Sequence, residues 1–178
     1  MKIVHFNGYF NEDLAYQENF LTLGQSELGH DVTLLTSRYE MDVKVNSKTR
    51  KRPAGESIYK GIKVIRVDHY LEIKHNALVL TKSLLPFFNK LNPDIIFFHD
   101  VSPALIYGII YKVLYPRVRL HIDFHSDAGN ARSSFIGPLY HFIWKIFFRI
   151  FRKSFERYFC VAPEAIDFVN KYYSIPKK

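Results

Sequence analysis

Cysteine is nearly missing from this chain: Cys160 is alone among 178 residues. An internal disulfide is therefore excluded, and the single thiol suits a reducing compartment. Glycine is also sparse, at eight residues. The loop after the first apolar run keeps only Gly8, so the Gly-x-Gly-x-x-Gly pattern of dinucleotide sites is absent, and no Walker-type phosphate loop occurs. Nicotinamide and flavin chemistry are accordingly not expected. Long apolar runs are lacking too. The richest segment, Phe135 to Phe151, is interrupted by Pro138, His141, Lys145 and Arg149, whereas a spanning helix needs roughly 18 or more apolar residues with few charges. Met1-Lys2 leads into only a short apolar stretch before Asn7, Asn11 and Glu12, unlike a secretory leader. The chain reads as soluble, or as resting on a membrane. No repeat, low-complexity tract or aromatic-basic stacking module is visible, so nucleic acid is not an expected partner.

What is present is apolar and aromatic. Forty-eight per cent of residues are hydrophobic, with 16 Phe and 12 Tyr, enough for one ordered domain with a core of its own. The formal charge is +8. Much of it lies in two clusters, Lys44 to Arg52 and Lys145 to Arg157, which bear on partners rather than fold.

Short β-rich runs alternate with helix-like stretches. Strands are expected at 2–6, 32–36, 62–67, 94–98, 119–124 and 158–161, and helices at 18–28, 76–91, 103–114, 138–155 and 164–172. Phe20, Leu21 and Leu28 are the expected core contacts of the first helix, and Gly29 its stop. Pro86 is expected to kink the second. Residues 38–60 read as an exposed loop with room for an edge hairpin. The alternation implies a Rossmann-like α/β domain over 1–178, a doubly wound, mainly parallel sheet with helices on both faces.

In such a sheet, ligands bind beyond the carboxyl ends of the strands. Asn7-Gly8 follows the first strand, His99-Asp100 the fourth, and His125-Ser126-Asp127 the fifth. The three clusters are expected to line one crevice. A period of two would put His121, Asp123, His125 and Asp127 on one strand face if the strand ran that far. Burying so many ionisable groups is costly unless they are paired, so the later ones should emerge into solvent. His121 and Asp123 are expected to satisfy backbone groups and neighbours. No zinc spacing is present and alternate strand residues splay, so no metal is expected, although a small metal-dependent hydrolase built on these four residues is an alternative. In the helix after Pro138, Phe142, Ile143, Ile146, Phe147, Ile150 and Phe151 provide apolar surface. Lys145, Arg149, Arg152 and Lys153 recur at helical spacing as one basic face. With Trp144 beside it, that face suits an anionic lipid surface.

Several segments resemble glycosyltransferase family 4, retaining enzymes of the GT-B fold with two facing Rossmann-like domains. They are Lys2-Ile3-Val4-His5-Phe6, Gly29-His30-Asp31-Val32-Thr33-Leu34-Leu35-Thr36, Gly61 to Val67, Asn92-Pro93-Asp94-Ile95-Ile96, Tyr158 to Pro163, and Tyr172 to Pro176. The resemblance implies the acceptor-side, N-terminal half of an enzyme that moves a sugar from a nucleotide-sugar donor to a saccharide or lipid-linked acceptor. The donor is held mainly by a C-terminal domain that these residues do not include. It also implies no cofactor, the nucleotide sugar being a co-substrate. His125 matches a histidine near the reacting centre and is the expected catalytic residue. Asn7, Gly8, Tyr16, Gln17, His99, Asp100, Ser126 and Asp127 are the expected substrate-binding residues. The family's Gly-Gly-x-Glu/Gln loop is represented by Leu14-Ala15-Tyr16-Gln17-Glu18-Asn19, which keeps Gln17 but neither glycine and reads as a Tyr-Gln-Glu loop. A cytoplasmic place, peripheral on the inner face of the plasma membrane, goes with a lipid-linked acceptor. A stand-alone binding subunit of a split glycosyltransferase is the other expectation.

Overall fold

The computed structural model describes residues 1–12, 14–42, 48–73, 78–125 and 137–176. Eleven strands and five helices occur among them. The strands are β1 Lys2–Asn7, β2 Asp31–Ser37, β3 Tyr39–Asp42, β4 Lys48–Lys51, β5 Gly55–Tyr59, β6 Ile62–Val67, β7 His69–Ile73, β8 Leu78–Thr81, β9 Ile95–His99, β10 Arg119–Phe124 and β11 Phe155–Cys160. The helices are α1 Gln17–Glu27, α2 Leu85–Leu91, α3 Leu105–Leu114, α4 Gly137–Phe151 and α5 Pro163–Tyr173. Seven strands form one sheet in the order β11-β10-β9-β1-β2-β6-β5, all parallel except the edge strand β5. The chain is thus a Rossmann-like α/β domain.

The near-continuous apolar run of β9, Ile95-Ile96-Phe97-Phe98, exists because both faces of the sheet are covered near its centre, whereas β10 alternates Leu120, Ile122 and Phe124 with His121 and Asp123. On one face Val4, Phe6, Ile96, Phe98, Leu120, Ile122 and Phe124 pack against residues of α2, α3, α4 and α5, including Phe88, Leu105, Trp144, Phe148 and Phe168. On the other, Leu34 and Val64 pack with Phe10, Tyr59 and Leu23 of α1. Chain reversals follow local chemistry. Gly29 takes a left-handed φ of 82° after α1, and Asn92 does the same after α2, its N–H donating to Phe88 O before Pro93.

Several expectations are corrected. Residues 78–81 are strand rather than helix, and α2 begins only at Leu85; Pro86 sits in its first turn, where its fixed φ favours initiation, and makes no kink. The stretch expected as an exposed loop at 38–60 holds β3 paired with β4, and β5 on the sheet edge, with Tyr39 and Glu40 buried. In α1 the burial is inverted: Phe20 and Leu28 are exposed, while Glu18, Asn19 and Thr22 are buried. In α4 the inward side is Trp144 and Phe148, and Phe142, Ile143, Ile146 and Ile150 face outward. Helix α4 ends at Phe151, so Arg152 and Lys153 belong to a following 3-10 turn, Arg152–Ser154. The last strand also begins earlier than expected, at Phe155.

Candidate functional site

Asn7, His99 and Asp123 end or nearly end three adjacent parallel strands and are Cα partners in register, Asn7 with His99 and His99 with Asp123. The carboxyl rim of the sheet thereby gathers side chains that are far apart in sequence. Asp123 is fully buried and stands between two imidazoles: His99 Nδ1 is 2.8 Å from Oδ2, and His125 Nε2 is 3.1 Å from Oδ1. Burial opposes the charge of Asp123, but the hydrogen bonds from His125 and His99 outweigh it and hold the carboxyl well below its ordinary range. Both histidines therefore donate to a carboxylate. Burial likewise opposes the charge of His125; the hydrogen bond and charge of Asp123, with Glu18 and Asp100 adding, win and raise its pKa above that of a free imidazole. The His125 side chain remains 32% exposed. It can hold a proton near neutrality, which suits hydrogen bonding to a hydroxyl or phosphate oxygen.

Around this pair the rim is built from short polar links. Asn7 Nδ2 donates to Glu18 Oε1 at 2.6 Å, and Asn7 Oδ1 accepts from the Tyr9 amide at 3.0 Å. The buried Glu18 goes with the inverted burial of α1, whose first turn directs a carboxylate to Asn7 at the rim. Asp100 is a non-glycine residue in the left-handed region, φ 63°. Its N–H donates to Asp123 O at 3.0 Å and its Oδ1 accepts from the Val101 amide at 2.8 Å. Strain of this kind persists where surrounding structure over-determines it, and it clusters at functional rims.

Of the expected residues, Asn7, His99, Asp100 and His125 are brought together, and Gly8 follows Asn7 with open space where a Cβ would stand. Tyr16 and Gln17 lie at the start of α1 and are exposed. Ser126 and Asp127 fall outside the described residues, as does Lys44. His121 does not join the cluster. It lies one pleat below Asp123, opposite Phe97 in register, facing the rings of Phe97 and Phe159, and among the described residues its Nε2 is buried without a hydrogen-bond partner. That corrects the expectation that it finds a neighbour. The expected row of four also breaks, because β10 stops at Phe124. The acidic and imidazole atoms that do converge are those of His99, Asp123 and His125, all within 4.8 Å of one another. These three could approach a metal ion, but their atoms already bond one another, and an ion would have to displace those contacts. Lys145 is half-buried on α4, and Arg149, Arg152 and Lys153 are exposed.

Three contributors were missed in the sequence: His5, Glu18 and a buried ion pair in which Arg66 Nη2 donates to Glu40 Oε1 at 2.7 Å, with Arg52 Nε on Oε2 at 2.8 Å. His5 had a signal, since it shares a strand face with Asn7 at a spacing of two. Glu18 had one in the Tyr-Gln-Glu stretch that stands for the family's Gly-Gly-x-Glu/Gln loop, whereas Glu40 had none, because its partners come from other elements.

The polar side chains gathered at the carboxyl rim of this Rossmann-like sheet stand where α/β domains of this kind bind their ligands. It belongs to Glycosyltransferase Family 4, whose sequence profile matches residues 21–178. Among solved structures it is similar to a sucrose-phosphate synthase from Thermosynechococcus elongatus, with a TM-score of 0.47 and 11% identity, over 90% of this chain and 47% of that one. The chain thus spans about half the length of that protein. No curated protein matches it. No helix among the described residues is long and apolar enough to cross a membrane.

Proposed function

We propose that this chain is the acceptor-binding, N-terminal domain of a retaining glycosyltransferase that moves a sugar from a nucleotide-sugar donor to a saccharide or lipid-linked acceptor. The donor would be held mainly by a second domain not contained in these 178 residues, and no cofactor would be used. Family membership supports the reaction class. The observation that carries the assignment of the site is the part-exposed His125 held by the buried Asp123 at the carboxyl rim. In this reading His125 donates a hydrogen bond to the sugar or its phosphate, and Asn7, Glu18 and Asp100 shape the acceptor side. Ser126 and Asp127 continue the same segment and remain part of the proposed binding set.

The test has two arms. Calorimetric titration of a nucleotide-sugar panel is run against this chain and against the full-length gene product; binding by the full-length protein alone supports the acceptor assignment, and tight binding by this chain alone overturns it. In the full-length enzyme, His125→Ala is expected to lower turnover by about a hundredfold or more with folding retained. Unchanged turnover removes His125 from the site.

A membrane reading is favoured by one specific observation. Leu139, Phe142, Ile143, Ile146 and Ile150 are 42–65% exposed along one side of α4, and Arg149, Arg152 and Lys153 lie beside its C-terminal end. An apolar row bordered by cations fits an interfacial helix on anionic lipid, which suits a lipid-linked acceptor and a peripheral place on the cytoplasmic side.

A further inference from the structure

The contact between Asp123 and His99 is one link of a longer chain. His99 Nε2 lies 2.9 Å from His5 Nδ1, and His5 Nε2 lies 2.7 Å from Gln25 Oε1. The rings of His5 and His99 are nearly coplanar, 12° apart. His5, His99 and Asp123 are all buried. An unbroken relay therefore runs through the sheet from His125 in the crevice to Gln25 on α1. Gln25 is half-buried and lines a cavity of about 390 Å³ on the α1 side of the sheet, together with Leu21, Phe97, His121 and Phe159. The far end of the relay is open to change without touching the crevice.

The donors and acceptors in this relay are not independent. With its amide oxygen toward the ring, Gln25 accepts from His5 Nε2–H. Burial, reinforced by His99, lowers the pKa of His5 to about 3, so the ring is neutral and holds one proton. Its Nδ1 can then only accept, and His99 Nε2 must donate to it. His99 Nδ1 also donates, to the Asp123 carboxylate. Both ring nitrogens of His99 are thus turned toward acceptors, His5 Nδ1 and Asp123 Oδ2, and Asp123 is shared between His99 on one side and His125 on the other. Remove the acceptor at Gln25, and His5 is free to carry its proton on Nδ1 and donate to His99, which then needs only one proton of its own.

We propose that Gln25 and His5 are positioning residues that act through His99 and Asp123 on the protonation of His125. The amide of Gln25 fixes the direction of every hydrogen bond in the relay, and that direction decides how much of the Asp123 charge is left for His125. Among the described residues, the other charged groups near His125, Glu18 and Asp100, stay the same whichever way the relay points. The significance for transfer rests on the glycosyltransferase reading of His125, but the protonation effect does not.

The experiment is an NMR titration of ring-labelled histidines in this chain, with the His125 signal assigned by His125→Gln. In Gln25→Met and in His5→Phe, the His125 midpoint is expected to rise by about half a pH unit or more, because His99 no longer opposes it. The double variant should titrate like His5→Phe alone, since both changes cut the same relay. A merely structural role would change stability and leave the midpoint in place. Midpoints within about 0.1 unit of wild type in both folded variants overturn the proposal, as does an additive double variant. Turnover of His125→Ala in the full-length enzyme separates the two claims: a dispensable His125 with shifted midpoints ends the site assignment and leaves the relay standing.

Discussion

His99 and Asp123 sit side by side on neighbouring parallel strands, with Nδ1 and Oδ2 2.8 Å apart and neither side chain more than 2% exposed. A carboxylate so placed is tolerable only with its donors in position. Asp123→Ala is expected to destabilise the fold by about 3–5 kcal/mol, the scale on which breaking a buried pair leaves the other member uncompensated. Urea denaturation at pH 7 measures it, and a loss below about 1 kcal/mol would show that the pair relaxes freely.

The buried His5 gives the acid limb of stability a defined sign. Its folded pKa, about 3, lies below the unfolded value. The unfolded chain therefore takes up this proton first, and stability is full above about pH 6.5 and falls as pH drops toward 3. His121 and His141, also lowered by burial, slope the same way, while His125 slopes the opposite way. His5→Phe should flatten the decline between pH 6.5 and 4.5. Denaturation midpoints at several pH values test this, and an unchanged slope would mean that His5 takes up its proton alike in the folded and unfolded states.

Gly108 in α3 is required by packing rather than by backbone freedom. A Cβ there would come within 2.5 Å of Phe98 Cζ and 2.6 Å of Cε2, and Phe98 is wholly buried. The gain in helix propensity from Gly108→Ala is about 1 kcal/mol at most. Overpacking a core of this kind costs typically about 1–3 kcal/mol, so a net loss is expected. A thermal midpoint equal to or above wild type would show that the Phe98 ring has room to move.

The outward row of α4 makes two separable contributions to vesicle binding. Phe142→Ser with Ile146→Ser should weaken binding to anionic vesicles at all salt concentrations. Arg149→Gln with Arg152→Gln and Lys153→Gln should weaken it chiefly at low salt, since exposed charges are screened over about 10 Å at 0.1 M. Co-sedimentation with phosphatidylglycerol vesicles distinguishes the two. Wild-type chain that stays in the supernatant ends the membrane reading.

Which elements would form was legible in the sequence wherever apolar period and punctuation agreed. The run at 95–98 is a strand because residues covered on both faces must be apolar throughout, the segment at 119–124 shows the period of two, and Gly29 and Asn92-Pro93 mark helix ends by their backbone conformations. The placing of Asn7, His99, Asp100 and His125 on one rim followed from the same reasoning, because parallel strands put all their carboxyl ends on one side. The helix expected at 76–91 failed because its apolar residues serve a strand and a short helix in turn, two periods in one segment.

The sequence by itself determined the alternation of the parallel sheet strands β1, β2, β6, β9, β10 and β11 with helices, and the rim on which polar residues would collect. These depend on neighbours along the chain. Only the tertiary structure decided that His99 would replace His121 beside Asp123, that α1 would turn Glu18 inward and Phe20 outward, and that His5 would join His99 to Gln25. Those outcomes depend on register between strands distant in sequence, where a shift of two residues exchanges one partner for another.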